Sequence, residues 1–331
     1  VLAPSPRENP HLIGHAAAER AVTDALAGGR LHHAWLITGP EGIGKATLAY
    51  RFARRLLAGG AAATLEMDPS HLVFRRVAAG THADLRTVER EWDEKKKKMK
   101  KNIAAETVRT VPGFLHLTPA EGGWRVVIID GAEDMSRESA NALLKVLEEP
   151  PGRALLMLIS DTPGRLLPTI RSRCRHLPMK PLAAADMQSA MALYLPDLAP
   201  AERDTLLTLA EGAPGRALAL AEQGGLAVAG LVREVIATTP FPLLRGYEIA
   251  DSLREESAFD LFFALLRGAI AQATTAYLRG TASPVQSHLL QQRREAEWGT
   301  IWARLGEIHR EAGQHNLDKR QAVVTGLALL R

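Results

Sequence analysis

One short segment constrains this chain more than any other. Gly39-Pro40-Glu41-Gly42-Ile43-Gly44-Lys45-Ala46 satisfies the phosphate-loop pattern G-x-x-x-x-G-K-[ST] up to its last position, where Ala46 replaces the hydroxyl residue. A short apolar strand, Ala34 to Thr38, feeds the loop, and a helix from Ala46 to Ala58 leaves it. That strand–loop–helix context makes the match credible. Gly39, Gly42 and Gly44 let backbone N–H groups curl round phosphate oxygens, and the helix N-terminus adds its dipole. Lys45 can reach the β and γ oxygens. The missing hydroxyl would have held Mg²⁺, and Ala46 cannot. Thr47 comes one residue late and, at about 100° per residue, points away from such a metal. The segment reads as a nucleotide cradle whose catalytic half is damaged.

The rest of the composition sets bounds. A chain of 331 residues has material for roughly two or three domains. Hydrophobic residues make up 46% and charged residues 24%, ordinary values for a globular protein. No apolar run approaches the roughly 18 residues that span a bilayer. Val1 to Pro10 is polar and Pro-containing, unlike a signal peptide, so a cytoplasmic location without membrane contact is expected. The single cysteine, Cys174, excludes an internal disulfide and a four-cysteine zinc site, and its thiol reads as a buried small apolar group. A net charge of +4 with a pI near 9.3 permits contact with DNA but is too mild to demonstrate it.

Along the chain, His15 to Ala27 has helical character. The helix after the loop carries a basic face of Arg51, Arg54 and Arg55. Gly59 to Ala63 is a break, residues 64–102 are polar and irregular, and Thr107 to Leu117 reads as a helix. Trp124 to Asp130 is a strand apolar enough to lie centrally in a parallel sheet, and it ends in a carboxylate. Ser136 can cap a helix reaching Glu148, which Pro150-Pro151 stops. Leu155 to Ser160 is another buried strand, and Leu166 to Ser172 is a short helix or turn. After Pro181 helical periodicity takes over. Ala184–Leu195, Ala201–Glu211 and Gly215–Glu222 are short helices, and Gly224-Gly225 and the Thr238–Pro242 region read as linkers. Tyr247–Arg279 and roughly Ser287–Leu330 read as long helices. Trp298 and Trp302, four apart, would pack a helix interface.

These strings occur in a telling order. The loop Gly39–Lys45, the strand to Asp130, Asn141-Ala142-Leu143-Leu144-Lys145-Val146-Leu147-Glu148-Glu149-Pro150-Pro151 and Ile170-Arg171-Ser172-Arg173-Cys174 together resemble the AAA+ subunits of the bacterial clamp loader. That complex, part of DNA polymerase III, opens the sliding clamp around primed DNA. The resemblance covers residues 10–225 well; beyond 240 it rests on helical character and Asn316-Leu317-Asp318-Lys319. It implies an α/β P-loop AAA+ domain with a parallel sheet over residues 1–179. A small helical lid domain over 180–228 and an all-helical collar domain for oligomerisation over 229–331 would follow.

The family contains ATP-hydrolysing motor subunits and a non-hydrolysing stator, and the chain departs from the motor pattern repeatedly. Ala46 removes the magnesium ligand. Gly131 stands where motors carry the glutamate that orients water, and Glu133, two residues on, should not occupy its place. In Gly212-Ala213-Pro214-Gly215-Arg216, Gly215 stands where motors put a nucleotide-sensing arginine, with Arg216 displaced by one. The four-cysteine zinc module usual in the family is absent, so Gly59 to Leu85 must pack without metal.

The resemblance therefore implies a stator with no catalytic activity of its own. Its Arg173 would reach a neighbouring subunit's γ-phosphate in trans, a contact worth ~10³–10⁵ in rate, although a surface arginine among Arg171 and Arg175 is the plain alternative. The cradle of Gly39, Gly42, Gly44, Lys45, Ala46 and Thr47 could hold ATP or ADP without hydrolysis, or be a structural turn. Asp130 belongs to the same possible nucleotide site, where in a working enzyme it would order magnesium through water; beside Ala46 and Gly131 it reads first as a structural carboxylate. In the Asn141–Glu149 helix, Leu143, Leu144 and Leu147 face the sheet while Lys145, Glu148 and Glu149 are surface residues. The expected partners are the motor subunits and the delta subunit, with the sliding clamp and primer-template DNA met through the complex. Neither zinc nor another cofactor is required, and no metal ligands are expected; His32 and His33 lack companions at ligand spacing. The alternatives are a gamma- or tau-like ATP-hydrolysing motor, which Ala46, Gly131 and the lack of an extended C-terminal tail oppose, and an independent DNA-binding ATPase using Lys95 to Lys101. That lysine run reads first as a solvated segment.

Overall fold

The computed structural model describes residues 4–330 apart from 30, 61–62, 94–97, 101, 122, 223, 239 and 316. Its contacts divide the chain into two compact units, residues 1–197 with 210–216, and residues 198–209 with 217–331.

The first unit is built on strands β1 (Ala34–Thr38), β2 (Leu85–Val88), β3 (Trp92–Asp93), β4 (Lys98–Met99), β5 (Arg125–Asp130), β6 (Ala154–Ser160) and β7 (Arg175–Pro178). Five of them form one sheet in the order β2-β5-β6-β1-β7, every neighbour parallel. Its helices are α1 (Ala16–Ala27), α2 (Lys45–Leu57), α3 (Leu72–Ala78), α4 (Ala105–His116), α5 (Arg137–Glu148), α6 (Pro168–Arg171) and α7 (Ala184–Tyr194). Alternation along the central strands sends side chains to two cores. Trp35, Ile37, Val126, Ile128, Leu155 and Met157 meet Val22, Leu48, Phe52 and Val73 of α1–α3. Ala34, Leu36, Val127, Ile129, Leu156 and Leu158 meet α4 and α5 through Val108, Val111, Leu143, Val146 and Leu147. The result is the three-layer α/β P-loop architecture with a parallel sheet that the motifs imply. Ser136 caps α5, accepting from the Ser139 N–H.

Several local expectations need correction. The polar stretch 64–102 contains α3 and the edge strand β2, whose Leu85-Arg86-Thr87-Val88 has no apolar run because only Val88 is buried. Strand β7 follows Cys174 directly and pairs with β1. The basic face of α2 is largely interior: Arg51 and Arg54 are 3% and 1% exposed. Arg51 pairs with Glu19 and also donates to the Pro10 carbonyl. Arg54 donates to the carbonyls of Arg7 and Asn9 and lies 4.2 Å from the centre of the Phe74 ring. Burial, with help from Arg51, pulls the Arg54 guanidinium down to about 10.

Helices α8 (Pro200–Ala210) and α9 (Pro214–Glu222) are shared between the units in sequence. The second unit continues with α10 (Gly225–Ala237), α11 (Leu243–Ser252), α12 (Glu256–Leu278), α13 (Pro284–Gln291), α14 (Glu295–His315) and α15 (Lys319–Ala328). The two long helices foreseen from Tyr247 onward are thus five. The chain breaks around Leu253, whose buried side chain anchors the turn, and again before Asp318, whose carboxylate accepts the Arg320 N–H and starts α15. Gly224, at φ 69°, is no loose linker but the tight turn into α10.

One apolar core joins α10 to α15, with Phe259, Phe262, Phe263, Leu266 and Trp298 at its centre. Trp298 is interior and donates its indole N–H to the Leu290 carbonyl, whereas Trp302 is 41% exposed under the Arg267 guanidinium. Helix α12 is, by length and composition, apolar enough to cross a membrane, although Asp260 and Arg267 interrupt any continuous apolar run. The lysines at 95–97 and 101, like Asn316, lie outside the described residues, and Lys100 pairs with Glu91 at 2.6 Å.

Candidate nucleotide cradle and surface arginine

The parallel order places β1 between β6 and β7, and register pairs Thr38 with Ser160. The loops leaving β1 and β6 at their carboxyl ends therefore emerge side by side. The sheet gathers Lys45, at the start of α2, with Asp130 at the end of β5 and Asp161 just beyond β6.

Lys45 is only 5% exposed, and its ammonium is already engaged. Nζ lies 2.5 Å from Asp161 Oδ1 and donates to the Pro40 carbonyl at 2.6 Å. Asp161 is held in turn by Glu133. One Glu133 oxygen accepts the N–H groups of Asp161 at 2.7 Å and Thr162 at 3.1 Å, and the Thr162 hydroxyl at 3.2 Å. Glu133 thus fastens the loop after β6. Its carboxylate, whose desolvation is outweighed by these hydrogen bonds, sits below the usual range. Asp130 is pushed the other way, up to about 6, first by burial and then by the charges of Glu89 and Asp161.

The glycine loop is also clasped by backbone. The Gly215 N–H donates to the Gly42 carbonyl at 2.8 Å. Gly42 has φ 77°, and a Cβ there would meet the Arg216 nitrogen at 2.8 Å; one on Gly215 would meet the Gly42 oxygen at 2.9 Å. Both positions need glycine for this approach. Arg216 itself turns to Glu211, 3.2 Å away. On the other side His15, at the N-cap of α1, contacts the Ile43 carbonyl at 2.7 Å, and burial lowers its imidazole below the usual range.

A magnesium nucleotide does not fit this arrangement. Ala46 has no hydroxyl to offer, Thr47 is buried, Gly131 has no side chain, Lys45 is engaged, and Glu133 is committed to the loop after β6 through Oε1, with Oε2 buried and unpartnered among the described residues. Asp161, Glu133 and His15 are the residues that sequence reasoning did not assign to the cradle. The available signal was a carboxylate directly after a buried strand; that this strand neighbours β1 becomes evident only from topology.

Arg173 lies elsewhere on the unit, after α6. It is about a third exposed, with Nη2 2.7 Å from Glu148 Oε1 and Nη1 donating to the Thr169 carbonyl at 3.0 Å. The Ser-Arg-Cys string and the Glu-Glu-Pro-Pro string therefore meet in one ion pair at the surface. Cys174 beside it is buried, and burial pushes its thiol up to about 12, which leaves it unreactive.

Comparison with known proteins identifies the family. Residues 14–183 match the family model described as DNA polymerase III, delta subunit. The DNA polymerase III subunit delta′ of Pseudomonas aeruginosa is 42% identical over 62% of this chain and 61% of its own length. That of Escherichia coli is 31% identical over 82% of both chains. The chain belongs to the DNA polymerase III delta′ family. The tau subunit of Escherichia coli is more distant, 30% identical over 64% of this chain and 32% of its own. This delta′ family member thus spans rather less than two thirds of the length of its Pseudomonas relative.

Proposed function

We propose that this chain is the non-hydrolysing stator of the DNA polymerase III clamp loader. It would assemble with the motor subunits and the delta subunit in the cytoplasm, through a helical collar formed by its C-terminal helices, to load the sliding clamp on primer-template DNA. It would supply Arg173 in trans to a neighbour's ATP while turning over none itself, and need neither zinc nor another cofactor. The observation that carries the reading is the contrast between two cations. Lys45 is interior and satisfied by Asp161 and the Pro40 carbonyl, whereas Arg173 stands at the surface on an exchangeable ion pair with Glu148. A surface pair of this kind contributes ~0–1 kcal/mol, so a phosphate can replace the carboxylate at little cost. The guanidinium's planar fork suits phosphate oxygens.

The test is the clamp- and DNA-stimulated ATPase of a loader reconstituted with Arg173→Ala or Lys45→Ala in this chain alone. Arg173→Ala should lower turnover at the adjoining site by roughly 10³-fold or more, and Lys45→Ala should leave the rate within about twofold. Abolition of turnover by Lys45→Ala would instead make the chain a gamma- or tau-like motor.

A further inference from the structure

We infer that Asp161 closes this chain's phosphate cradle to nucleotide, serving as a resident counter-anion for Lys45. The inference deepens the stator reading and rests on it in taking the cradle to be out of catalytic use.

A phosphate loop binds polyphosphate through its backbone N–H groups and one free ammonium. Here the ammonium has partners on both sides, the Asp161 carboxylate at 2.5 Å and the Pro40 carbonyl at 2.6 Å, and is removed from solvent. Asp161 does not reach it by chance rotation. Its backbone N–H is fixed by Glu133 at 2.7 Å, which sets the carboxylate beside the loop. An incoming triphosphate would have to displace Asp161 and then lie close to Asp130, on which the charges of Glu89, Asp161 and Glu133 already act. With Ala46 in place of a hydroxyl, one magnesium ligand that would offset those charges is gone. The clasp of Gly215 on Gly42 holds the loop in this state from its outer side.

The experiment is a titration of the full chain with a fluorescent ADP analogue, with and without Mg²⁺. The native protein, Asp161→Asn, Asp161→Ser and the double variant Asp161→Asn/Lys45→Ala are compared. Native protein should show no saturation below millimolar nucleotide. Asp161→Asn and Asp161→Ser should each bind at least tenfold more tightly, and the double variant should lose that gain. In parallel, amine-directed acylation read by peptide mass should find Lys45 protected in the native chain and at least several-fold more reactive in Asp161→Asn. Micromolar binding by the native chain would overturn the inference, as would no gain in affinity in either single variant. The stator reading stands or falls separately. It fails if Arg173→Ala leaves the loader's ATPase intact, whatever nucleotide the isolated chain binds.

Discussion

Asp130 is a carboxylate in an unfavourable place. Burial, reinforced by the neighbouring acids, raises it to about 6, well above the ~3.9 of an unfolded aspartate. The folded state therefore keeps a proton that the unfolded state has already lost between roughly pH 4 and 6, so stability falls as pH rises through that window. The loss is on the order of 3 kcal/mol. Asp130→Asn should flatten the dependence and raise the melting temperature at pH 7 by several degrees. A variant with the native slope between pH 4 and 7 would contradict the assignment. The sequence made Asp130 visible, because a carboxylate closing an apolar run is conspicuous. Asp161 also follows an apolar run, but its meaning comes from the adjacency of β6 to β1, a long-range property absent from local pattern.

At the scale of elements, α2 shows what periodicity can and cannot say. The helix stands where its glycine loop and apolar spacing put it, but a basic face does not by itself say which arginines are buried. Arg51 and Arg54 are the floor on which residues 7–10 lie, because two guanidinium groups supply the donors that this segment's carbonyls need. Arg54→Met should cost about 2–4 kcal/mol in urea unfolding, by stranding the Arg7 and Asn9 carbonyls and removing the contact with Phe74. It should also speed amide exchange over residues 7–12; unchanged exchange there would mean the segment is held by other contacts. The strands β2 and β7 were hidden for a related reason. Edge strands carry mixed, half-exposed residues, and the pairing that defines them is not written in their composition.

For the whole molecule, the two units have separate cores of different kinds, a layered sheet and a helical cluster. Phe263, fully buried, belongs to the helical cluster. Phe263→Ala should cost roughly 3–5 kcal/mol in that unit. Hydrogen exchange should rise through residues 225–328 and remain low in β1, β5 and β6. Equal loss of protection in the sheet would show that the units unfold as one. The broad division into a strand-bearing and then a helical part was legible from the change in pattern after Pro181. The interleaving of residues 198–216 between the units was not, because Gly212 and Gly215 are drawn back by backbone hydrogen bonds to Leu182 and Gly42.

The Gly42–Gly215 contact limits redesign. Any side chain at 215 collides with the loop's own backbone, so an arginine cannot be placed there while the loop keeps this path. The same loop is held at Lys45 by Asp161, on a chain segment far from Gly215 in sequence. The two glycines therefore form a coupled pair, and a redesign of this loop has to move both chain segments at once.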